Sequence, residues 1–165
     1  MHMKSAIIYY STYRNNTEKI ASLFAQKLNA ELVNLKENKK INIENYDLIG
    51  FGSGIYRESM SPKLIKYVNT LDLKDKYVFV FSTSGIGLRF YNKKLLNLLK
   101  SKGAICKGSF ACKGTFQSRE FSDNRIFEIL SRFSEGHPDE KDLYKAEKFI
   151  ENLIKNFNWH LIGSS

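Results

Sequence analysis

Seven residues, Ser11-Thr12-Tyr13-Arg14-Asn15-Asn16-Thr17, stand between an apolar run that stops at Tyr10 and an amphipathic pattern that starts at Glu18. Their types suit one task, holding an anion. The first backbone N–H groups of a helix lack an internal partner, and the aligned peptide dipoles add partial positive charge there. Together these make a seat for a phosphate. Ser11, Thr12 and Thr17 offer hydroxyl donors, and Asn15 and Asn16 offer amide donors. Asn15 also tolerates the left-handed backbone of a tight loop better than most residues other than glycine. The plainer alternative is a hydrophilic strand-to-helix connection with Thr17 as helix cap. The loop has neither the Gly-x-x-x-x-Gly-Lys-Ser/Thr of nucleoside triphosphatases nor the Gly-x-Gly-x-x-Gly of dinucleotide folds. It lacks an acidic cluster for magnesium and a cysteine-led phosphate loop. A mononucleotide phosphate that does not itself react fits best.

Such a loop needs a strand before it and a helix after it, and the chain repeats that alternation. Five apolar runs read as strands: Ala6–Tyr10, Glu31–Leu35, Leu48–Phe51, Val78–Phe81 and Ala104–Ala111. The first, third and fourth are nearly unbroken Ile, Val, Phe, Tyr and Leu, as in parallel strands buried on both faces. The second and fifth are interrupted by polar residues, as edge strands are. Helical spacing places Ile20, Leu23, Phe24 and Leu28 on one face, and Leu64, Ile65 and Val68 on another behind a Ser61-Pro62 start. Leu95, Leu96 and Leu99 mark a third helix, which Gly103 ends. Asp139 opens a fourth, carrying Leu143, Ala146, Ile150, Leu153 and Phe157. The pattern predicts an α/β fold, a doubly wound five-stranded parallel sheet of order 2-1-3-4-5 with helices on both faces. Ligands of such sheets bind beyond the carboxyl ends of the strands, where the order reverses. The loops after the first, third and fourth runs are therefore the functional ones.

A length of 165 residues corresponds to one domain, 1–165, with 113–136 as an irregular insertion before the last helix. Within it, Asn124–Phe133 reads as a short amphipathic helix through Ile126, Phe127, Leu130 and Phe133. No apolar run is long enough to span a membrane, and the start lacks the pattern of a secretory signal. Cys106 and Cys112 are too few for a disulfide framework, so a cytoplasmic location is the expectation. Their equal parity on the fifth strand predicts that both face the same way. The net charge of +9 could draw acidic proteins, nucleic acid or anionic lipid. A nucleic-acid reader is not expected, for there is no basic stripe interleaved with aromatics, no zinc pattern and no helix-turn-helix signal. His137 precedes Pro138 and a capped helix, which reads as capping. No Ser/His/Asp set or metal cluster is visible, and no catalytic residue is assigned.

At this point the chain resembles a family. "YYSTYRNNTEKIA" is similar to the phosphate loop of flavodoxins, in a longer variant of the form Ser-x-x-x-Gly-Asn-Thr that Ser11, Asn16 and Thr17 match; Asn15 replaces the glycine. "YDLIGFGSGIYRESMSPKLIKYV" resembles the second flavin loop, "VFSTSGIGLRFYNKKLLNLLKSKG" the third, and "EGHPDEKDLYKAEKFIENL" the last helix of a flavodoxin subgroup. The resemblance implies FMN as cofactor. Its phosphate would lie on Ser11, Thr12, Tyr13, Arg14, Asn15, Asn16 and Thr17. Backbone groups of Ser53, Gly54 and Ile55 would approach the ring, with Tyr56 as an aromatic wall. Ser84, Gly85, Ile86 and Gly87 would meet the pyrimidine edge, with Phe90 or Tyr91 near the other face.

The function so implied is electron transfer with protein partners, and the basic surface makes those partners acidic. Arg57 and Arg89, in the two ring loops, would raise the flavin potential above that of an acidic flavodoxin. Two alternatives stand beside it. One is an FMN-dependent oxidoreductase acting on a quinone or porphyrinogen, for which 113–136 would have to build a pocket. The other is a cofactor-free interaction module on the same fold.

Overall fold

The computed structural model describes residues 3–12, 15–114 and 136–157. Along the chain run β1 (Ser5–Tyr10), α1 (Asn16–Leu28), β2 (Glu31–Asn34), β3 (Leu48–Tyr56), β4 (Ser59–Met60) and α2 (Pro62–Asn69). β5 (Tyr77–Ser84), α3 (Lys93–Ser101), β6 (Ile105–Lys113) and α4 (Glu140–Lys155) follow. Five strands pair in parallel in the order β2-β1-β3-β5-β6, which is the expected 2-1-3-4-5. β4 is an addition, a two-residue strand antiparallel to the end of β3. Residues 115–135 lie outside the described residues, and with them the helix expected over Asn124–Phe133.

Alternation along each strand divides the core in two. On one face Ile7, Tyr9, Phe79 and Phe81 pack against Ile20 and Phe24 of α1 and Ala146, Ile150 and Leu153 of α4. On the other, Ile8, Phe51, Val78 and Val80 meet Leu64 and Val68 of α2 and Leu95 and Leu99 of α3. The helix ends follow their local chemistry. Ser61 accepts the Lys63 N–H at the start of α2, with Pro62 at the first position. Asp139 accepts the Asp142 N–H, and the Asp142 carboxylate accepts the Asp139 N–H in return, forming a reciprocal cap. The His137 imidazole joins this cap through Asp142. Among the described residues no helix is long and apolar enough to cross a membrane.

Two expectations change. The strands outrun their apolar stretches: β5 continues through Ser82, Thr83 and Ser84, and β3 through Ser53 to Tyr56. Backbone pairing carries them on after the core has ended. Secondly, Cys106 and Cys112 do not share a face. Val78 pairs with Cys106 but Phe79 pairs with Gly108, so Lys107 is an extra residue and the side-chain alternation inverts across it. Cys112 lies in the core under α1 and α4, whereas Cys106 packs toward α3. Burial pushes both thiols up, and the Asp142 and Asp139 carboxylates push Cys112 further. Since the thiolate is the nucleophile, native protein treated with an aromatic disulfide reagent at pH 8 is expected to release about one equivalent slowly, from Cys106. Cys112 should react only on unfolding. Fast release of two equivalents from native protein would contradict this placement.

Candidate functional site

β1 ends at Tyr10, and the chain then leaves the sheet for the first turn of α1. Ser11 is buried, and its hydroxyl has no hydrogen-bond partner among the described residues. Thr12 is exposed; Tyr13 and Arg14 lie outside the described residues. Asn15 takes the left-handed conformation, φ 54°, as its side chain allows. Its carbonyl accepts the Lys19 N–H at 3.1 Å, while its side chain makes no cap bond. The leading amides of α1 are therefore left without a side-chain acceptor from the capping position. Asn16 and Thr17 are both buried behind them. A buried hydroxyl with no partner among the described residues, beside a helix start that Asn15 does not cap, fits a phosphate monoester.

Hydroxyl pairs tie this loop to its neighbours. Thr17 Oγ1 lies 2.9 Å from Thr83 Oγ1 on β5, in a buried pair. Thr12 Oγ1 lies 2.6 Å from the Tyr56 hydroxyl at the end of β3. The Tyr56 hydroxyl also crosses Gly54, where an added Cβ would stand 3.2 Å from it. Ser53, fully buried, donates to the Gly54 carbonyl at 2.7 Å and accepts the Ser61 N–H at 3.0 Å, which fixes the second loop to the start of α2. Ile55 pairs with Met60 and Tyr56 with Ser59, so Arg57-Glu58 closes a two-residue hairpin.

Both of these turn residues have positive φ, 46° and 66°, a conformation that favours Asn-Gly. The left-handed backbone costs each about 1 kcal/mol. Glu58→Gly is expected to stabilise the protein by about 1 kcal/mol, seen as a rise in melting temperature of about 2–4 °C. An unchanged or lower melting temperature would refute the strain.

The third loop leaves β5 at Ser84. Its hydroxyl accepts the Gly87 N–H at 2.7 Å and its carbonyl accepts the Gly114 N–H at 2.9 Å. Gly85 is half-buried, Ile86 is exposed, and Gly87 has φ 66°. Phe90 is 73% exposed, and the Tyr91 ring meets it edge-on at 6.1 Å. Asn92, fully buried, donates to Ser109 Oγ and the Phe110 carbonyl, anchoring the loop to β6.

The three loops thus converge at the carboxyl ends of β1, β3 and β5, where the strand order reverses. Ser11, Thr12, Asn15, Asn16 and Thr17 form one wall, Ser53 to Tyr56 a second, and Ser84 to Gly87 a third. Phe90 stands away from the protein's own packing. Sequence reasoning missed Thr83, Ser61, Asn92 and Gly114. Thr83 lies within the third-loop stretch and could have been suspected from its hydroxyl. Gly114 carried no signal, since its role is spatial: a Cβ there would meet the Asn16 side chain at 3.0–3.2 Å.

Comparison with known proteins gives the site its context. Residues 7–107 match the model of the flavodoxin domain. An uncharacterised protein of Methanocaldococcus jannaschii is 38% identical over 156 residues, which cover 93% of this chain and all of the relative. The flavodoxin-like domain-containing protein BilS of Clostridioides difficile is 27% identical, over 92% of this chain and 97% of that one. Among solved structures, a flavodoxin from the domain Archaea superposes with a TM-score of 0.63 at 12% identity, over 93% of this chain and 97% of the other. A flavoprotein in complex with FMN from Lactobacillus acidophilus gives a TM-score of 0.54 at 18% identity, over 73% and 99%. At such identities the structures show a shared fold.

Proposed function

The chain belongs to the flavodoxin domain family, and from that premise we propose that it binds FMN at the three converging loops and acts as an electron carrier. One observation carries the reading. The buried Ser11 hydroxyl, without a partner among the described residues, stands beside a helix start that the Asn15 side chain does not cap. Burying a hydroxyl without a partner costs about 1–3 kcal/mol, and a phosphate ester removes that cost while lying at the positive end of the α1 dipole. Ser11, Thr12, Asn15, Asn16 and Thr17 hold the phosphate. Ser53 to Tyr56 and Ser84 to Gly87 flank the ring, with Phe90 at its rim. Bound FMN supplies one- and two-electron chemistry. The protein's own residues seat the cofactor, orient it and keep water from its inner edge. The Ser53–Ser61 and Ser84–Gly87 bonds keep the two ring loops rigid without it.

The test is calorimetric titration of the full chain with FMN, riboflavin and inorganic phosphate, followed by visible spectra during stepwise reduction. Saturable one-to-one FMN binding, weakened by phosphate, is expected. Absence of saturable binding at excess FMN would overturn the proposal. Steady NAD(P)H oxidation with a quinone by the lone protein would move the reading from carrier to enzyme.

A further inference from the structure

We propose that the part of the molecule formed by the third loop, α3 and β6 is a docking face for an acidic protein. The charge is unevenly placed along the chain. From Lys76 to Arg119 the sequence contains no Asp or Glu. Nine of the 26 Lys and Arg residues fall in this run and all 17 acidic residues fall outside it. Outside it 17 basic residues balance 17 acidic ones, so the whole net charge of +9 belongs to these 44 residues. Its described part, residues 76–114, is contiguous in the fold as well, covering β5, the third loop, α3 and β6 at one side of the sheet.

The two sides of the protein treat their lysines differently. On the α1 and α4 side, Lys27 pairs with Glu147 and Glu151, and Lys148 pairs with Glu151. Within the run itself such pairing has no source, and Asp75, whose N–H donates to the Gly103 carbonyl, Glu44 and Glu58 only border it. Lys76 and Lys102 are spent on backbone carbonyls, and Lys107 lies over the Tyr77 and Phe157 rings. Arg89, Lys93 and Lys94 are exposed, and their side chains make no ion pair or hydrogen bond among the described residues. Arg57, on the hairpin whose β4 packs against Arg89–Asn92, adds a further free cation, with Glu58 beside it as a lone counter-charge.

Apolar exposure is concentrated on the third loop. Of the five large hydrophobic side chains exposed among the described residues, Ile86, Leu88 and Phe90 stand there, while Ile105 lies at the opposite end of the sheet, paired with Tyr77 at the start of β5. An apolar centre with an aromatic anchor and a charged rim is the anatomy of a protein–protein contact. Phosphate backbones would answer the cations but leave Ile86 and Leu88 in water, so a protein is favoured over nucleic acid. The countercharge the run lacks must come from that partner. The inference deepens the carrier reading by giving the partner's chemistry. It rests on that reading only for the partner being a redox protein.

The test uses the full chain, flavin-free and FMN-loaded, titrated with an acidic [2Fe–2S] ferredoxin and with a basic cytochrome c. Saturable binding to the ferredoxin by both forms is expected, weakening about tenfold or more as ionic strength rises through the screening range. Lys93→Glu/Lys94→Glu should weaken it about tenfold. Lys141→Glu/Lys145→Glu, the same change of charge on α4, should weaken it no more than about twofold, since exposed charges beyond a Debye length are screened. Leu88→Ser should weaken binding without altering its salt dependence. Equal losses from the two double reversals, equal binding to cytochrome c, or no saturable ferredoxin binding would each overturn the proposal. So would tighter binding of a single-stranded oligonucleotide that the Lys93/Lys94 reversal abolishes. Docking by a chain that takes up no FMN would retain the face while removing the carrier reading; FMN uptake without docking would do the reverse.

Discussion

Replacing Gly52 with alanine is expected to destabilise the protein by about 3 kcal/mol, a fall in melting temperature of about 6–12 °C for a chain of this size. A Cβ at this position would stand 2.2 Å from two atoms of the Phe81 ring and 2.5 Å from a third. Gly52 and Phe81 are register partners on adjacent parallel strands, and the ring lies across the glycine because nothing stands there. Phe81 has no room to retreat. It is fully buried, and the Phe24 ring meets it edge-on with centroids 5.2 Å apart. Phe24 is held in turn by Phe79 and Phe110. Phe81→Leu, which shortens the obstructing group, should therefore recover part of the loss in a Gly52→Ala background, although alone it is destabilising. Denaturant unfolding of the four proteins of that cycle measures the coupling. Additive losses would show that the contact is not the cause. Because Ser53 follows directly, the substitution should also loosen the second loop and lower FMN affinity.

The same pair shows where sequence reasoning stops. The strand order, the three loops and the left-handed Asn15 were legible because each depends on residues close in sequence: an apolar run, a polar break, a helical period. The need for glycine at 52 depends on Phe81, which is 29 positions away and becomes a neighbour only through the β3–β5 register. Gly50 stands in the same relation to Phe79, whose ring would be 2.5 Å from its Cβ. The extra residue at Lys107 was hidden for a like reason. A run reading Ile-Cys-Lys-Gly-Ser-Phe does not say where its partner strand skips a place, so the parity argument for Cys106 and Cys112 failed. The first loop was readable as an anion seat from its residue types. Which of its hydroxyls stay free was not, since Thr17 is occupied by Thr83 and Thr12 by Tyr56, whereas Ser11 has no partner among the described residues.

That division among the hydroxyls makes Thr12 the sharpest place to separate phosphate from ring. Thr12 is exposed, so a larger side chain there disturbs no packing, and a carboxylate near the start of α1 favours the helix dipole rather than opposing it. Thr12→Glu should therefore leave the melting temperature unchanged or slightly raised. Toward FMN it sets a negative charge at the phosphate seat. Two unit charges 4 Å apart near a protein surface repel by about 4 kcal/mol, and relaxation of an exposed glutamate removes part of this. A loss of about 100-fold in FMN affinity is expected, equivalent to about 2.7 kcal/mol. Riboflavin has no phosphate, so its affinity should change by no more than about threefold, the cost of breaking the exposed Thr12–Tyr56 bond. Thr12→Ala isolates that bond, for it removes the hydroxyl without adding charge. Added salt should restore part of the FMN affinity of the glutamate variant and little of the alanine variant's. If FMN and riboflavin lose affinity together, Thr12 acts on the ring through Tyr56, and the first loop is not the phosphate seat.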